Sequence, residues 1–259
     1  MGVWGPNLGK ICWLSLLAAV ALIVSDRPAL ALDLRLSPER VNIGAFFQGI
    51  KIGLEGEIPS ASEAVVEVRG ASVPEELIRK GRRGGLWMKV GEITVENALN
   101  LYLVMTSSIN VPPEGGLNPT WGLAALRPQV KFRGSVEEKE IDRFFQEFLE
   151  LKKSEGLYGT LPAALQISAS GPGRSTVRGA FRLPAKVPAG RYQVRLLVLK
   201  DGRVIDQKAE ELKVKMVGFP ALIADMAYEH GMLYGIVAVV IAIATGFIMG
   251  FLFKGKAAH

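Results

Sequence analysis

The stretch "VPAGRYQVRLLVLKDGRVIDQKAEELKVKMV", residues 187–217, decides the fold. Two long apolar-rich runs flank Lys200-Asp201-Gly202-Arg203, and Asp-Gly accepts the positive φ that a tight turn between two strands demands. The stretch is a β-hairpin. Tyr192 follows a Pro-x-Gly corner at the start of the first strand, the position at which immunoglobulin-like sandwiches carry a corner tyrosine. Residues 161–217, which also contain "LQISAS" and "STVRGAFRLP", are therefore expected to form an immunoglobulin-like β region. Within them "GPGR" (171–174) reads as a turn, because the lysine and helix of a phosphate loop do not follow it.

Upstream, "GIKIGLEGEIPS" sets Ile50, Ile52, Leu54 and Ile58 against Lys51, Glu55 and Glu57, the alternation of a half-buried strand. "EAVVEVRG", "GGLWMKVGEITVEN" and "LNLYLVMTSS" continue in kind, bounded by Gly, Pro, Asn or Ser, a spacing that suits an antiparallel sandwich better than βαβ units. Residues 32–125 are read as a first β-sandwich region. "NVPPEGGLNPTWGLAALRP" (110–128) breaks the rhythm and marks a boundary. Residues 126–160 then hold a linker and an inserted amphipathic helix, "SVEEKEIDRFFQEFLELKKSEG". Ser135 and Glu138 are spaced as a capping box, and Lys152 and Lys153 approach a terminating Gly156. Ile141, Phe144, Phe145, Phe148 and Leu151 recur at helical spacing, a stripe suited to packing on a sheet.

The two ends read differently. Met232 to Phe253 is uncharged over about 22 residues, enough to cross a ~30 Å hydrocarbon core as a helix. Residues 218–231 form a juxtamembrane segment before this span, and residues 254–259 a tail after it. Lys254 and Lys256 follow the span while Asp225 and Glu229 precede it, so the positive-inside rule puts the tail in the cytoplasm and the bulk of the chain outside. At the N-terminus, Lys10, the apolar run "ICWLSLLAAVALIV" and the small residues Ala29-Leu30-Ala31 read as a signal peptide over residues 1–31, cleaved before Leu32.

Composition excludes several chemistries. Cys12 is the sole cysteine, so no disulfide framework exists in the exported part. Setting aside Lys10, Arg27, Lys254, Lys256 and Asp26 lowers the formal charge from +6 to +3, no footprint for nucleic acid. The exported part has a single histidine, His230, which argues against a zinc site and against a nucleophile–histidine pair, and no G-x-S-x-G occurs. No enzyme and no cofactor is expected. Three clusters stand out. Arg82 and Arg83 with Trp87 lie in a glycine-rich loop and suit an anion or lipid headgroups. Glu229, His230 and Tyr234 sit where the chain meets the membrane. Ala238, Ala242, Gly246 and Gly250 recur every fourth residue of the span, a face on which another helix, from a second copy or a permease subunit, can pack closely.

"EFLELKKSEGLYG", "FRLPAKVPAGRYQVRLLVLKDGRVI" and "MAYEHGMLYGIVAVVIA" resemble the Alph_Pro_TM family of transmembrane proteins, first recognised in alphaproteobacteria. The order of "AVVEVRG", a basic run, "GLWMKV" and "NLYLVMTSS" is similar too, whereas "GEITVENAL" is a looser match. The resemblance implies a bacterial inner-membrane protein with a periplasmic domain and no assigned activity. Members are often encoded beside sulfite-exporter-like (TauE/SafE-type) permeases, which implies an accessory role to a transporter. The expectation is a mainly β protein: an immunoglobulin-like antiparallel β-sandwich in the periplasm, one inserted amphipathic helix and a single C-terminal transmembrane helix. Lipid and a membrane protein are the expected partners of such an accessory subunit. A tethered module for small anions is the alternative.

Overall fold

The computed structural model describes residues 32–112 and 120–253, so the N-terminal segment read as a signal peptide and the lysine-bearing tail lie outside the described residues. In chain order the strands are β1 (Asp33–Ser37), β2 (Arg40–Ile43), β3 (Ile50–Pro59), β4 (Glu63–Arg69), β5 (Ser72–Arg83), β6 (Leu86–Leu99), β7 (Tyr102–Thr106) and β8 (Lys131–Gly134). Helix α1 (Ile141–Ser154) precedes β9 (Tyr158–Leu161), β10 (Gln166–Gly171), β11 (Arg174–Leu183), β12 (Gly190–Lys200) and β13 (Arg203–Met216). Helices α2 (Phe219–Tyr228) and α3 (Gly231–Phe253) follow. The protein is mainly β, as expected.

One sheet has the order β1-β3-β11-β10, all antiparallel; a second, β2-β13-β12-β4-β7-β9, is antiparallel except at its two edges. Both sheets contain strands from residues 32–125 and from 161–217, β3 pairing with β11 in one and β4 with β12 in the other, and the buried side chains of both form one core. Val111, Trp121, Leu123 and Leu126, from the Pro- and Gly-rich stretch between the two halves, are buried in the same core. The sheets approach closely at Gly56, where an added Cβ would lie 2.9 Å from Leu196 Cδ2 and 2.8 Å from the Asp33 carbonyl oxygen.

The alternation of β3 buries Ile52, Leu54 and Ile58 and leaves Lys51 and Glu55 exposed. Strands β4 and β12 are covered on both faces, which explains their near-continuous apolar runs "AVVEV" and "VRLLVL". The β12–β13 turn is the one expected: Lys200 pairs with Arg203 across Asp201 and Gly202, both at positive φ. "GPGR" is likewise a turn, Gly171 pairing with Arg174. The Tyr192 hydroxyl donates to the Pro188 carbonyl oxygen at 2.6 Å, tying the start of β12 to its own corner.

A third sheet, β5-β6-β8, continues the second. The β4–β7 register passes unbroken through Gly70 N–H to the Leu101 carbonyl and Asn100 N–H to the Ala71 carbonyl into β5–β6. β4 with β5, and β6 with β7, thus form one long hairpin whose outer part leaves the sandwich.

Helix α1 corrects two sequence expectations. It starts at Ile141 after a 3-10 turn at Glu138–Glu140, with no side-chain cap. The Ser135–Glu138 capping box does not form because the Ser135 N–H is committed to the Glu92 carbonyl, at 3.1 Å, in the strand pairing that precedes the helix. The buried face is Phe145, Phe148, Leu149 and Lys152, while Leu151 is 39% exposed. Lys152 takes the inner place because it pairs with Glu75 on β5 and lies over the Phe148 ring. The C-terminal expectation holds: Gly156 at φ 73° donates to the Lys153 carbonyl at 2.9 Å, and Leu157 donates to that of Lys152 at 3.0 Å. Replacing Tyr192 with Phe should lower unfolding stability by about 1 kcal/mol, the contribution of one hydrogen bond, measured by urea titration of the detergent-solubilised chain.

Candidate functional site

Glu67 on β4 is fully buried. A carboxylate in an apolar interior is costly unless every lone pair finds a donor. Its Oε1 accepts from the Tyr102 hydroxyl and, at 3.1 Å, from the Gly122 backbone N–H. Its Oε2 accepts from the Arg195 guanidinium, with Nε at 3.1 Å, and lies 3.8 Å from Arg69 Nη1. Arg69 spans the Tyr102 ring and donates to Gln129 at 3.0 Å, and Gln129 donates to the Ala125 carbonyl at 2.6 Å. The cluster joins three neighbouring strands to the 122–129 segment lying over them. Both oxygens are occupied by the chain's own donors, which makes Glu67 a structural tie rather than a group free to act on a ligand.

A groove of about 660 Å³ runs between β5–β6 and α1, with Leu77, Ile93, Phe132 and Phe148 among its walls. Two of its arginines are paired within the chain, Arg143 with Glu147 at 2.8 Å and Arg79 with Glu140 at 3.9 Å while lying over Phe144, and Glu76 and Lys80 also line it. Among the described residues no group of three or more His, Cys, Asp or Glu is placed to hold a metal ion.

The residues singled out from sequence fall in three separate places. Arg82 pairs with Trp87, and Arg83 with Leu86, at the tip of the β5–β6 hairpin, where Gly84 and Gly85 at positive φ make the turn. Trp87 is 72% exposed, and Arg82 Nε donates to the Gly85 carbonyl at 3.4 Å. The tip does not line the groove. Glu229 and His230 form the joint between α2 and α3, their N–H groups donating to Asp225 and Met226, and Tyr234 lies in the first turn of α3. Ala238, Ala242, Gly246 and Gly250 all lie on α3. There a shallow groove of about 480 Å³ follows Gly246 and Gly250 between Ile243, Phe247 and Phe251. Sequence reasoning missed the Glu67 cluster and the Lys152–Glu75 pair. The only trace of the first is a glutamate inside a valine run.

Helix α3 has 23 residues, none buried, and its length of about 35 Å matches a bilayer core. A chain with a β-sandwich body and one such C-terminal helix belongs to the class of β domains that carry a single helix long and apolar enough to cross a membrane. Over residues 31–255 the sequence matches the family described as "Putative transmembrane protein (Alph_Pro_TM)", and the chain belongs to it. No curated protein shows a match to the sequence.

Burial first, and then the adjacent Glu67 carboxylate, hold the Tyr102 phenol well above its ordinary value of 10.0. Burial pushes Tyr192 up to about 12. Groups whose pKa is raised by folding contribute stability that is complete below the unfolded value and is lost as pH rises beyond it. Unfolding midpoints in urea should therefore fall as pH climbs above 10.0, and Tyr102→Phe should flatten that fall.

Proposed function

We propose that this protein is a single-pass inner-membrane subunit. Its β domain lies on the periplasmic side and its C-terminus in the cytoplasm, and it acts without catalysis as an accessory or assembly component of a membrane transporter or complex. The observation that supports this best is the composition of α3. A Cβ added at Gly246 or Gly250 would meet nothing within 4 Å, so the chain's own packing does not require either glycine. Small residues along a spanning helix are what allow a second helix to approach, in a solvent where hydrophobicity supplies no drive for pairing. The partner helix belongs to a second copy or to a permease subunit. Thr245 fits the same environment, its hydroxyl returned to the Ile241 carbonyl at 2.8 Å.

The internal pairing of Glu67 supports the non-enzymatic reading, as does the single histidine of the exported part. The orientation rests on Lys254 and Lys256 beyond the span. The small-anion module has less support, since Arg82, Arg83 and Trp87 stand on an exposed tip that suits an extended surface better than an enclosed ion.

The Gly246→Leu, Gly250→Leu double variant should insert and fold as the parent does, yet lose disulfide crosslinking between cysteines placed on this face and co-purify less of its membrane partner. Undiminished association would remove the helix-packing role. A reporter fused after His259 should behave as cytoplasmic, and periplasmic activity from it would overturn the orientation.

A further inference from the structure

The β5–β6 hairpin combines features that its own fold does not use. Its base is held: β8 pairs with β6 from Ile93 to Glu96, Arg79 lies over Phe144 of α1, and Leu77 and Ile93 line the groove. Beyond the bulge at Arg79 and Lys80, residues 82–89 are all exposed. That end carries Leu86, Trp87 and Met88, at 70%, 72% and 50% exposure, together with Lys80, Arg82, Arg83 and Lys89. Lys89 pairs with Glu92, and Lys80 is its cross-strand neighbour. Three consecutive large apolar side chains at the end of a soluble hairpin are an aggregation hazard unless something covers them.

Strand direction shows where this end points. β12 is antiparallel to both β4 and β13, so β4 and β13 run the same way in the second sheet. The chain leaves β13 at Met216 for α2 and α3, and leaves β4 at Arg69 for the hairpin. Both exits are at one end of the sheet. The ten residues of α2 span about 15 Å, while the twelve residues of β5 reach about 40 Å even before its bulges bend it. The hairpin is long enough to reach the plane at which α3 begins.

We infer that the hairpin tip is a second membrane contact, in which Leu86, Trp87 and Met88 enter the interfacial layer of the bilayer that holds α3, while Arg82 and Arg83 pair with anionic phospholipid headgroups. This rests on α3 spanning that bilayer. The chemistry matches the layer: an indole sits at the headgroup boundary, long apolar side chains bury just below it, and guanidinium groups bind phosphate bidentately. A tip tied to the bilayer by α3 needs no strong intrinsic affinity, because tethering supplies a high local concentration. With α3 and the tip both engaged, the β domain is held at two points and cannot swivel freely about the α2–α3 joint.

The test uses the full chain with Cys12→Ser, reconstituted in phosphatidylcholine vesicles with or without phosphatidylglycerol. Single cysteines replace Leu86, Ile109 or Ile241 and carry an environment-sensitive fluorophore. Ile109 is 76% exposed and follows β7 at the opposite end of the sheet, so it serves as the control. The label at 86 should shift to the blue and be quenched by lipids spin-labelled near the headgroup, several-fold more than the label at 109 and more strongly with phosphatidylglycerol. The Arg82→Glu, Arg83→Glu variant should lose most of that quenching. An unquenched label at 86 beside a label at 241 quenched by deep spin-labelled lipid would overturn the tip contact and leave the anchor standing. A blue shift at 86 without lipid quenching would overturn it in favour of a protein partner. Quenching at 86 indifferent to phosphatidylglycerol and to the charge reversal would overturn the headgroup pairing. An unquenched label at 241 would remove the anchor and the inference with it.

Discussion

Among the described residues Glu67 is the one charged side chain with no exposure at all, and the arrangement around it depends on that burial. An unpaired carboxylate at that depth would destabilise the domain by several kcal/mol. The donors that prevent this come from four parts of the chain: Tyr102 on β7, Arg195 on β12, Gly122 in the segment across the sheet, and Arg69 two residues further along β4. Supplying them fixes the order β12-β4-β7 and holds residues 122–129 against the sheet with Leu126 in the core. Apolar packing alone would tolerate a sliding segment. A backbone N–H bonded to a buried oxygen does not.

That tie also explains how a β domain without disulfides can carry a long hairpin outward. β4 and β7 are held at their Arg69–Tyr102 end by the Glu67 cluster, and Arg69 reaches on to Gln129. The β5–β6 extension starts one step further along, so its root is firm. Lys152 performs a related task from the other side, bringing a buried ammonium on α1 to Glu75 on β5. Two ionic contacts, each with one buried partner and each joining distant segments, thus frame the root of the hairpin, whereas residues 82–89 at its tip are all exposed.

What the sequence discloses follows from the range of the physics. Hairpin turns, strand alternation, the Gly156 stop, the corner at Tyr192 and the long span of α3 are local, governed by a few neighbouring residues, and each is present as read. Interleaving is not local. Nothing in "EAVVEVRG" says that β4 lies between β7 and a strand 128 residues further on, or that Glu67 is fully buried while Glu63, which opens the strand, is not. The Ser135–Glu138 spacing misled because a capping box is only an option for the backbone, and a competing strand bond at Ser135 took precedence. The apolar stripe points to Leu151 where the structure buries Lys152, because a lysine with a carboxylate and an aromatic ring in reach can take an inward place.

The same reasoning separates what the domain needs for itself from what it offers outward. Gly56 has an internal cause, since any side chain there would strike Leu196 and the Asp33 carbonyl. Gly246 and Gly250 have none, and neither do the exposed Leu86, Trp87 and Met88. Folding selects against each of these in isolation, because glycine weakens a helix and bare apolar side chains promote association. Residues that cost stability and contribute nothing to packing need an external cause. Both sets lie beyond the sandwich, on the two extensions that leave one end of its second sheet, so the buried ties of the sandwich hold without them.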